Sequence, residues 1–348
     1  MKTKPFGFRK KKKIMRFWKN KKIFITGATG FIGSWLTLRL IEEGASVFFL
    51  DYEEKKRSVL KEHSKPFSLE CVKGSLKDKK LLEEIFFKKN FDFVFHLGAQ
   101  TQVTKALEDP VETYEVNTLG TVYLLEACRK HLKNIQGIII ASSDKAYGSH
   151  DDLSLEESCY MKPEFPYDVS KACVEWISAS YYKTYQLPIV LTRCGNVYGG
   201  GDFNLLRLIP YTISSLLKNK PISLRSDGSC VRDYIFVEDV VQGYMQLARA
   251  MTEQKILGEC FNFGACQPHS VLEVVNKIST LMNKKETQIQ LLSQAHNEIS
   301  YQKLNPSKAF KILGWKARFS FDLGLKSTIE WYSNDFKACE KKLCLSTQ

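Results

Sequence analysis

Tyr167 and Lys171 stand four residues apart at the start of PYDVSKACVEW, a stretch of helical apolar spacing, so both side chains fall on one face. A tyrosine phenol ordinarily titrates near about 10. A neighbouring ammonium, together with a positively charged ring, favours the phenolate and makes Tyr167 a usable base near neutrality. Upstream, the apolar run of GIIIASSDKAYG ends in Ser142, Ser143, Asp144 and Lys145. Ser143 precedes Tyr167 by 24 residues, a spacing suited to a hydroxyl that bonds the same substrate oxygen. Each motif has an ordinary alternative when taken alone. Tyr-x-x-x-Lys recurs by chance in a chain with 15 tyrosines, and Ser-Ser-Asp-Lys is also the composition of a polar loop.

A third group is Gly27-Ala28-Thr29-Gly30-Phe31-Ile32-Gly33, set between the run IFIT and the helical WLTLRLIEEG. Gly27 and Gly30 allow a tight turn and a close approach to a pyrophosphate, and Gly33 lets the helix pack near the strand. The helix start offers free N–H groups and the positive end of its dipole. Asp51 closes the next apolar run, SVFFLD, 18 residues after Gly33. Its carboxylate is placed to accept from the ribose hydroxyls of NAD and to repel the extra phosphate of NADP.

The elements that must position these groups follow from periodicity. Apolar runs (IFIT, VFFL, FVFHL, GIII, PIVLT) alternate with helical stretches, which predicts βαβ crossovers and a parallel sheet covered on both faces. LKDKKLLEEIFFK and 166–185 read as helices, and VETYEVNTLGTVYLLEACRKH as one long helix. After about residue 200 the rhythm changes to short strands and helices, with two strands flanking Asp227–Gly228 and a helix from near Glu238. The expected layout is a basic, disordered tail over 1–20, a cofactor-binding domain over 21–200 to which parts of the C-terminal half return, a substrate-binding region over 201–335 and a tail over 336–348.

Composition narrows the classes. The chain has 348 residues, 44% hydrophobic and 26% charged, which excludes wholesale disorder and a small disulfide scaffold. The formal charge of +13 suggests a polyanion partner, but eleven of the 51 Lys and Arg lie in residues 1–22, which lack Asp and Glu. The remainder holds 40 basic and 38 acidic side chains, a net of +2, too little to attract nucleic acid along its surface. The basic segment reads as a solvated arm, and residues 1–14, ahead of Met15, as an upstream extension or mis-called start. Ten cysteines without Cys-x-x-Cys or zinc-like spacing read as reduced, buried thiols in a cytoplasmic protein that holds no metal. No apolar run is long enough to span a membrane.

Taken together, these residues resemble the extended short-chain dehydrogenase/reductase superfamily, whose members include nucleotide-sugar epimerases and dehydratases. FHLGAQ (95–100), NTLGT (117–121), RCGNVYGGGD (193–202), RDYIFVEDV (232–240), FNFG (261–264) and NPSKAFKILGW (305–315) extend the likeness over roughly 20–335. The resemblance implies an α/β fold: a Rossmann-type, doubly wound parallel sheet with a smaller C-terminal α/β substrate-binding region, NAD as cofactor, and a homodimer formed through 110–132 and 166–186. Ser143-Asp144-Lys145 is most similar to the 4,6-dehydratases, and in particular to CDP-glucose 4,6-dehydratases; an NDP-sugar 4-epimerase is the alternative, and a non-catalytic dinucleotide sensor is the alternative of another class. The catalytic set implied is Ser143, Asp144, Lys145, Tyr167 and Lys171, with Asp144 as acid and Lys145 as the base at C5 or as a stabilising cation. Elimination needs an acid and a base that oxidation alone does not. The cofactor set adds Gly27, Thr29, Gly30, Phe31, Ile32, Gly33, Asp51, Tyr52, Ser75, Leu76, Leu97, Gly98 and Ala99, with His96 a strand residue at the cofactor edge. Gln100, Asn117, Asn196 and Arg232 are the implied contacts of a nucleotide-diphosphate sugar, Arg232 at its pyrophosphate. Two departures stand out: Ser75 where the family usually carries Asp, which removes or reshapes an adenine contact, and the epimerase-like VRDYIFVEDV.

Overall fold

The computed structural model describes residues 17–346, apart from 53–56, 64–68, 151–153, 254–255 and 293–298. The readings made for residues 1–14 therefore lie outside the described residues. Phe17 and Trp18, expected in the tail, are packed: Trp18 is 2% exposed and its ring lies 5.5 Å from that of Phe93. Bulky aromatics find core contacts there that a charge count does not reveal.

The first half alternates as the apolar runs predict. It runs β1 (Lys22–Thr26), α1 (Phe31–Glu42), β2 (Ser46–Asp51), α2 (Val59–His63), β3 (Leu69–Lys73), α3 (Lys79–Lys88) and β4 (Phe93–His96). Then come α4 (Val103–Glu108), α5 (Pro110–Tyr114), α6 (Gly120–His131), β5 (Gly137–Ala141), β6 (Ser154–Leu155), α7 (Pro166–Tyr185) and β7 (Ile189–Cys194). A seven-stranded sheet has the order β11-β7-β5-β4-β1-β2-β3, its edge strand β11 (Cys260–Phe263) coming from the second half of the chain. Every pairing in it is parallel. Alternate residues feed two cores: Ile23 and Ile25 pack with α1 and with α9 (Val237–Glu253), while Phe24 faces α3, α6 and α7. The strand order reverses between β1 and β4, so their carboxyl ends open the crevice in which such sheets take ligands.

The single long helix expected after Pro110 is interrupted. A π-turn over Glu115–Leu119 separates α5 from α6, and Asp109 caps α5 by accepting from the Glu112 N–H at 3.0 Å. A single turn of i→i+5 bonds lacks a residue pattern of its own, so a helical stretch read from apolar spacing gives no sign of it.

Beyond β7 the chain leaves the main sheet through Gly195, where a Cβ would lie 2.6 Å from the Asp233 carbonyl oxygen. It continues through β8 (Asn196–Tyr198), α8 (Leu208–Leu217), β9 (Ile222–Leu224), β10 (Val231–Phe236) and α9. After β11 come β12 (Pro268–Ser270), α10 (Val271–Leu281), β13 (Ile289–Leu291), β14 (Lys303–Leu304), α11 (Ser307–Leu313) and α12 (Phe321–Ser346). The strands flanking Asp227–Gly228, β9 and β10, do not pair with each other: β9 joins β13, and β10 lies between β8 and β12. Gly228, with φ at +84°, turns the chain from one small sheet to the next. The backbone stays helical to Ser346, where a tail was expected. The eight cysteines from Cys71 to Cys266 are free; Cys128 is buried as expected, whereas Cys71 and Cys266 are exposed. No helix among the described residues is long and apolar enough to cross a membrane.

Candidate active site

The glycine turn is shaped for a close-lying ligand. Gly27 has φ at +75°, and a Cβ there would stand 2.7 Å from the Gly98 nitrogen, so the turn touches the loop after β4 backbone to backbone. At Gly33 a Cβ would stand 2.1 Å from the Gly27 carbonyl oxygen, which fixes the helix against the turn. Gly30 caps α1 without a side-chain hydrogen bond, leaving its first N–H groups for an anion; Phe31 and Ile32 open that helix. These residues fit a dinucleotide pyrophosphate.

Asp51 ends β2 and is 2% exposed. It accepts from the Thr29 hydroxyl at 3.1 Å and from the Lys73 ammonium at 2.9 Å, with Lys61 at 3.7 Å. Lys73 and Lys61 were not foreseen. They come from β3 and α2, and no local spacing links them to Asp51. Tyr52 is 59% exposed beside it. The Ser75 hydroxyl accepts from the Lys77 N–H at 3.1 Å within its own turn, while Leu76 is buried against Gly120 and Gly98. Leu97, Gly98 and Ala99 form the opposite wall, with the Gly98 N–H donating to the Thr26 hydroxyl at 3.0 Å. His96 is clamped between the Thr26 hydroxyl at 2.7 Å and the Thr121 hydroxyl at 3.0 Å, and burial pushes its pKa down to about 3. A neutral imidazole held on both nitrogens braces the strand end.

Tyr167, Lys171, Ser143, Asp144 and Lys145 come together at the carboxyl end of β5. Tyr167 and Lys171 lie on the first turns of α7, 8% and 5% exposed. The Lys171 ammonium donates to the Ala141 carbonyl at 2.9 Å, and burial pushes its pKa down to about 8. The Ser143 hydroxyl donates to an Asp144 oxygen at 3.1 Å and lies near enough to the Tyr167 phenol to draw its pKa down. Lys171 was expected to favour the phenolate. In the protein's own field, burial dominates instead and pushes Tyr167 up to about 12, with Ser143 opposing.

Asp144 opens a 3-10 turn over Asp144–Tyr147 and is 4% exposed. Burial raises its pKa against the pull of Lys145, the Ser143 hydrogen bond and Arg232, so the group is biased toward the acid form. Asp168, which sequence reasoning passed over, is 3% exposed in the same field. Its pKa is pushed up to about 6 by burial, with Lys145 opposing and Asp144 and Glu164 adding to the rise. The signal available was only its adjacency to Tyr167. Two carboxyl groups thus share the field of one lysine.

The implied substrate contacts separate. Asn117, in the π-turn, is 1% exposed; its amide accepts from the Gln100 N–H at 2.8 Å and donates to the Gln100 carbonyl at 3.0 Å and the Ser170 hydroxyl at 2.9 Å. Those bonds tie the loop after β4 to α7 and occupy the side chain. The Gln100 amide donates to the Gln102 carbonyl and the Thr113 hydroxyl, both at 3.0 Å. Asn196 is half-buried on β8, opposite Tyr234 on β10. Arg232, 7% exposed on β10, donates to the Val231 carbonyl at 2.8 Å and lies within electrostatic reach of Asp144. Beneath the site, Glu175 of α7 pairs with Arg193 of β7 at 2.8 Å, both buried, and accepts from the Ser142 hydroxyl. Among the described residues no cluster of His, Cys, Asp or Glu could hold a metal ion.

A doubly wound parallel sheet with a glycine turn at its switch point and a Ser-Tyr-Lys group at its carboxyl edge defines an extended short-chain dehydrogenase/reductase. Within that class the chain belongs to the GDP-mannose 4,6 dehydratase family, whose model matches residues 24–328. It is 32% identical over 328 residues to a trifunctional UDP-glucose 4,6-dehydratase/UDP-4-keto-6-deoxy-D-glucose 3,5-epimerase/UDP-4-keto-L-rhamnose-reductase of Arabidopsis thaliana, a match covering 91% of this chain and 48% of that protein. The chain therefore spans about half the length of that relative. It is 31% identical over 353 residues to a CDP-glucose 4,6-dehydratase of Salmonella typhimurium, covering 94% of this chain and 96% of that one. Among solved structures, the dTDP-glucose 4,6-dehydratase of Bacillus anthracis in complex with NAD superposes with a TM-score of 0.79 at 28% identity, covering 90% of this chain and 97% of that chain.

Proposed function

We propose that this protein is an NAD-dependent nucleotide-diphosphate hexose 4,6-dehydratase, with CDP-glucose the favoured substrate and the 4-keto-6-deoxy sugar the product. The observation that carries the reading is the buried Asp144–Lys145 turn beside Tyr167: an epimerase needs the tyrosine, whereas loss of water also needs an acid. The Ser-Asp-Lys signature and the nearly full-length likeness to the Salmonella enzyme support CDP.

NAD held at the Gly27–Gly33 turn and Asp51 supplies a reversible acceptor of hydride and, when oxidised, a positive charge. The chain's own residues supply the rest. Tyr167 takes the C4 hydroxyl proton, with Ser143 hydrogen-bonded to the same oxygen and Lys171 holding its place through Ala141. Once C4 is a ketone the C5 proton is acidified, and its loss puts negative charge on the C4 oxygen. We assign Lys145 to stabilising that charge, because the Asp168 carboxylate beside it favours the ammonium, and the C5 proton passes to Tyr167 once Tyr167 has released the C4 proton to solvent. Asp144, biased toward its acid form, protonates the departing C6 hydroxyl so that water leaves, and return of the stored hydride to C6 and of a proton to C5 would complete the 4-keto-6-deoxy sugar. Arg232 grips the pyrophosphate from β10, as a guanidinium does best by two parallel bonds. A homodimer through α5–α6 and α7 is part of this reading, supported by exposed apolar side chains there: Val111 at 64%, Trp176 at 54% and Leu119 at 45%.

The test is incubation with NAD and CDP-, UDP-, GDP- and dTDP-glucose in parallel. The expected outcome is a 4-keto-6-deoxy product from CDP-glucose, seen by its ultraviolet absorbance in base. Recovery of the 4-epimer instead would overturn the reading.

A further inference from the structure

Gln302 reaches the candidate acid from the far end of the chain. It lies just before β14, is 1% exposed, and its side-chain amide donates to the Asp144 carbonyl oxygen at 3.0 Å across 158 residues. Its backbone N–H donates to the Val231 carbonyl at 3.0 Å, and the Val231 N–H donates to the Ser300 carbonyl at 2.8 Å. A further bridge joins Val231 to Tyr301, so residues 300–302 are fastened along the start of β10. The same Val231 carbonyl accepts from Arg232, the group assigned to the pyrophosphate. One side chain therefore joins the strand that carries Arg232 to the turn that carries Asp144 and Lys145.

The geometry of the amide is one-sided. The Gln302 Oε1 is buried and has no hydrogen-bond partner among the described residues. A buried, unmet acceptor costs on the order of 1–3 kcal/mol, so this amide is poorly accounted for as a device for stability alone. Turning it over would set oxygen against the Asp144 carbonyl oxygen and lose the one bond it makes. Tyr167 and Lys171 hang instead from α7, Ser143 and Ala141, and have no bond to Gln302.

We propose that Gln302 is a positioning residue for the elimination step: it fixes the Asp144–Lys145 turn to β10, so that the acid and the pyrophosphate grip share one frame. The inference rests on the dehydratase reading and deepens it. Misplacing an acid by about 1 Å can cost of order a hundredfold in rate, whereas the oxidation at C4, served by Tyr167, keeps its own supports.

The test compares wild type, Gln302→Leu and Gln302→Glu as NAD-loaded enzymes on whichever nucleotide sugar the wild type dehydrates. Leucine keeps similar bulk and removes the donor. Product formation by Gln302→Leu should fall at least about tenfold in kcat with KM within about twofold, while reduced nicotinamide builds up because oxidation outruns elimination. Gln302→Glu sets an acceptor against the carbonyl unless its new carboxyl is protonated, so its activity should recover as pH falls, unlike the wild type. A merely structural role would not give that pH profile. Wild-type kcat in Gln302→Leu, or equal loss of oxidation and elimination, overturns the inference. A wild type inert toward all four nucleotide sugars overturns the dehydratase reading, and the inference with it.

Discussion

Beside Tyr167, one ammonium is set among two buried carboxyls, Asp144 and Asp168. With Asp144 biased toward its acid form, the Asp168 carboxylate is the anion beside that ammonium, and a charge facing its opposite is hard to remove, so Lys145 is better suited to hold negative charge than to accept a proton. The two roles separate by substitution. Lys145→Ala should abolish dehydration, while Lys145→Arg, a permanent cation, should keep a measurable fraction of it; the rate of 4-keto-6-deoxy product formation reads both. Equal loss in the two variants would assign Lys145 as the base. Tyr167, Lys171, Ser143 and Asp144 were legible in the sequence because helical spacing and a strand end bring near neighbours together. Asp168 was not, since adjacency to Tyr167 says nothing of which side of the helix start faces Lys145. Gln302 was not either: a contact across 158 residues leaves no local pattern.

At the scale of elements, the site depends on how α7 is fastened to the sheet. Glu175 and Arg193 tie the helix to β7, and Ser142 at the end of β5 donates to the same carboxylate. Glu175→Ala would leave the Arg193 guanidinium buried without its anion, a loss of about 3–5 kcal/mol. Chemical denaturation should show that drop, together with weaker activity because Tyr167 and Lys171 ride on the loosened helix. The parallel sheet was legible because its strands are apolar on both faces and each is followed by a helical stretch. The partners of β9 and β10 were not, because strands of three to six residues carry too little pattern to choose neighbours. The π-turn stayed hidden for the related reason that one such turn of five residues carries too little pattern to be told from α-helix, yet it is the turn that carries Asn117 inward between Gln100 and Ser170.

Over the whole molecule, the excess positive charge belongs to the N-terminal segment, and the remainder is close to neutral, as suits the proposed binding of two small anions, a dinucleotide and a nucleotide sugar. The exposed apolar residues on α5, the π-turn and α7 then become the surface of most consequence. Trp176→Glu should convert a dimer to monomer in sedimentation velocity, by setting a charge where an apolar contact is needed. A wild type that sediments as a monomer would remove the dimer from the reading. The edge strand β11 carries a different implication, one of timing. It docks on β7, yet residues 195–259 are made between the two. At about 5–20 residues per second, the open flank of β7 waits several seconds on the ribosome before its neighbour emerges. During that interval a bare parallel strand is a template for any stray strand nearby. Newly made chains should accordingly lean on chaperones more than the finished protein's stability would suggest, and slow codons in that stretch would lower the yield of enzyme without changing a residue of it.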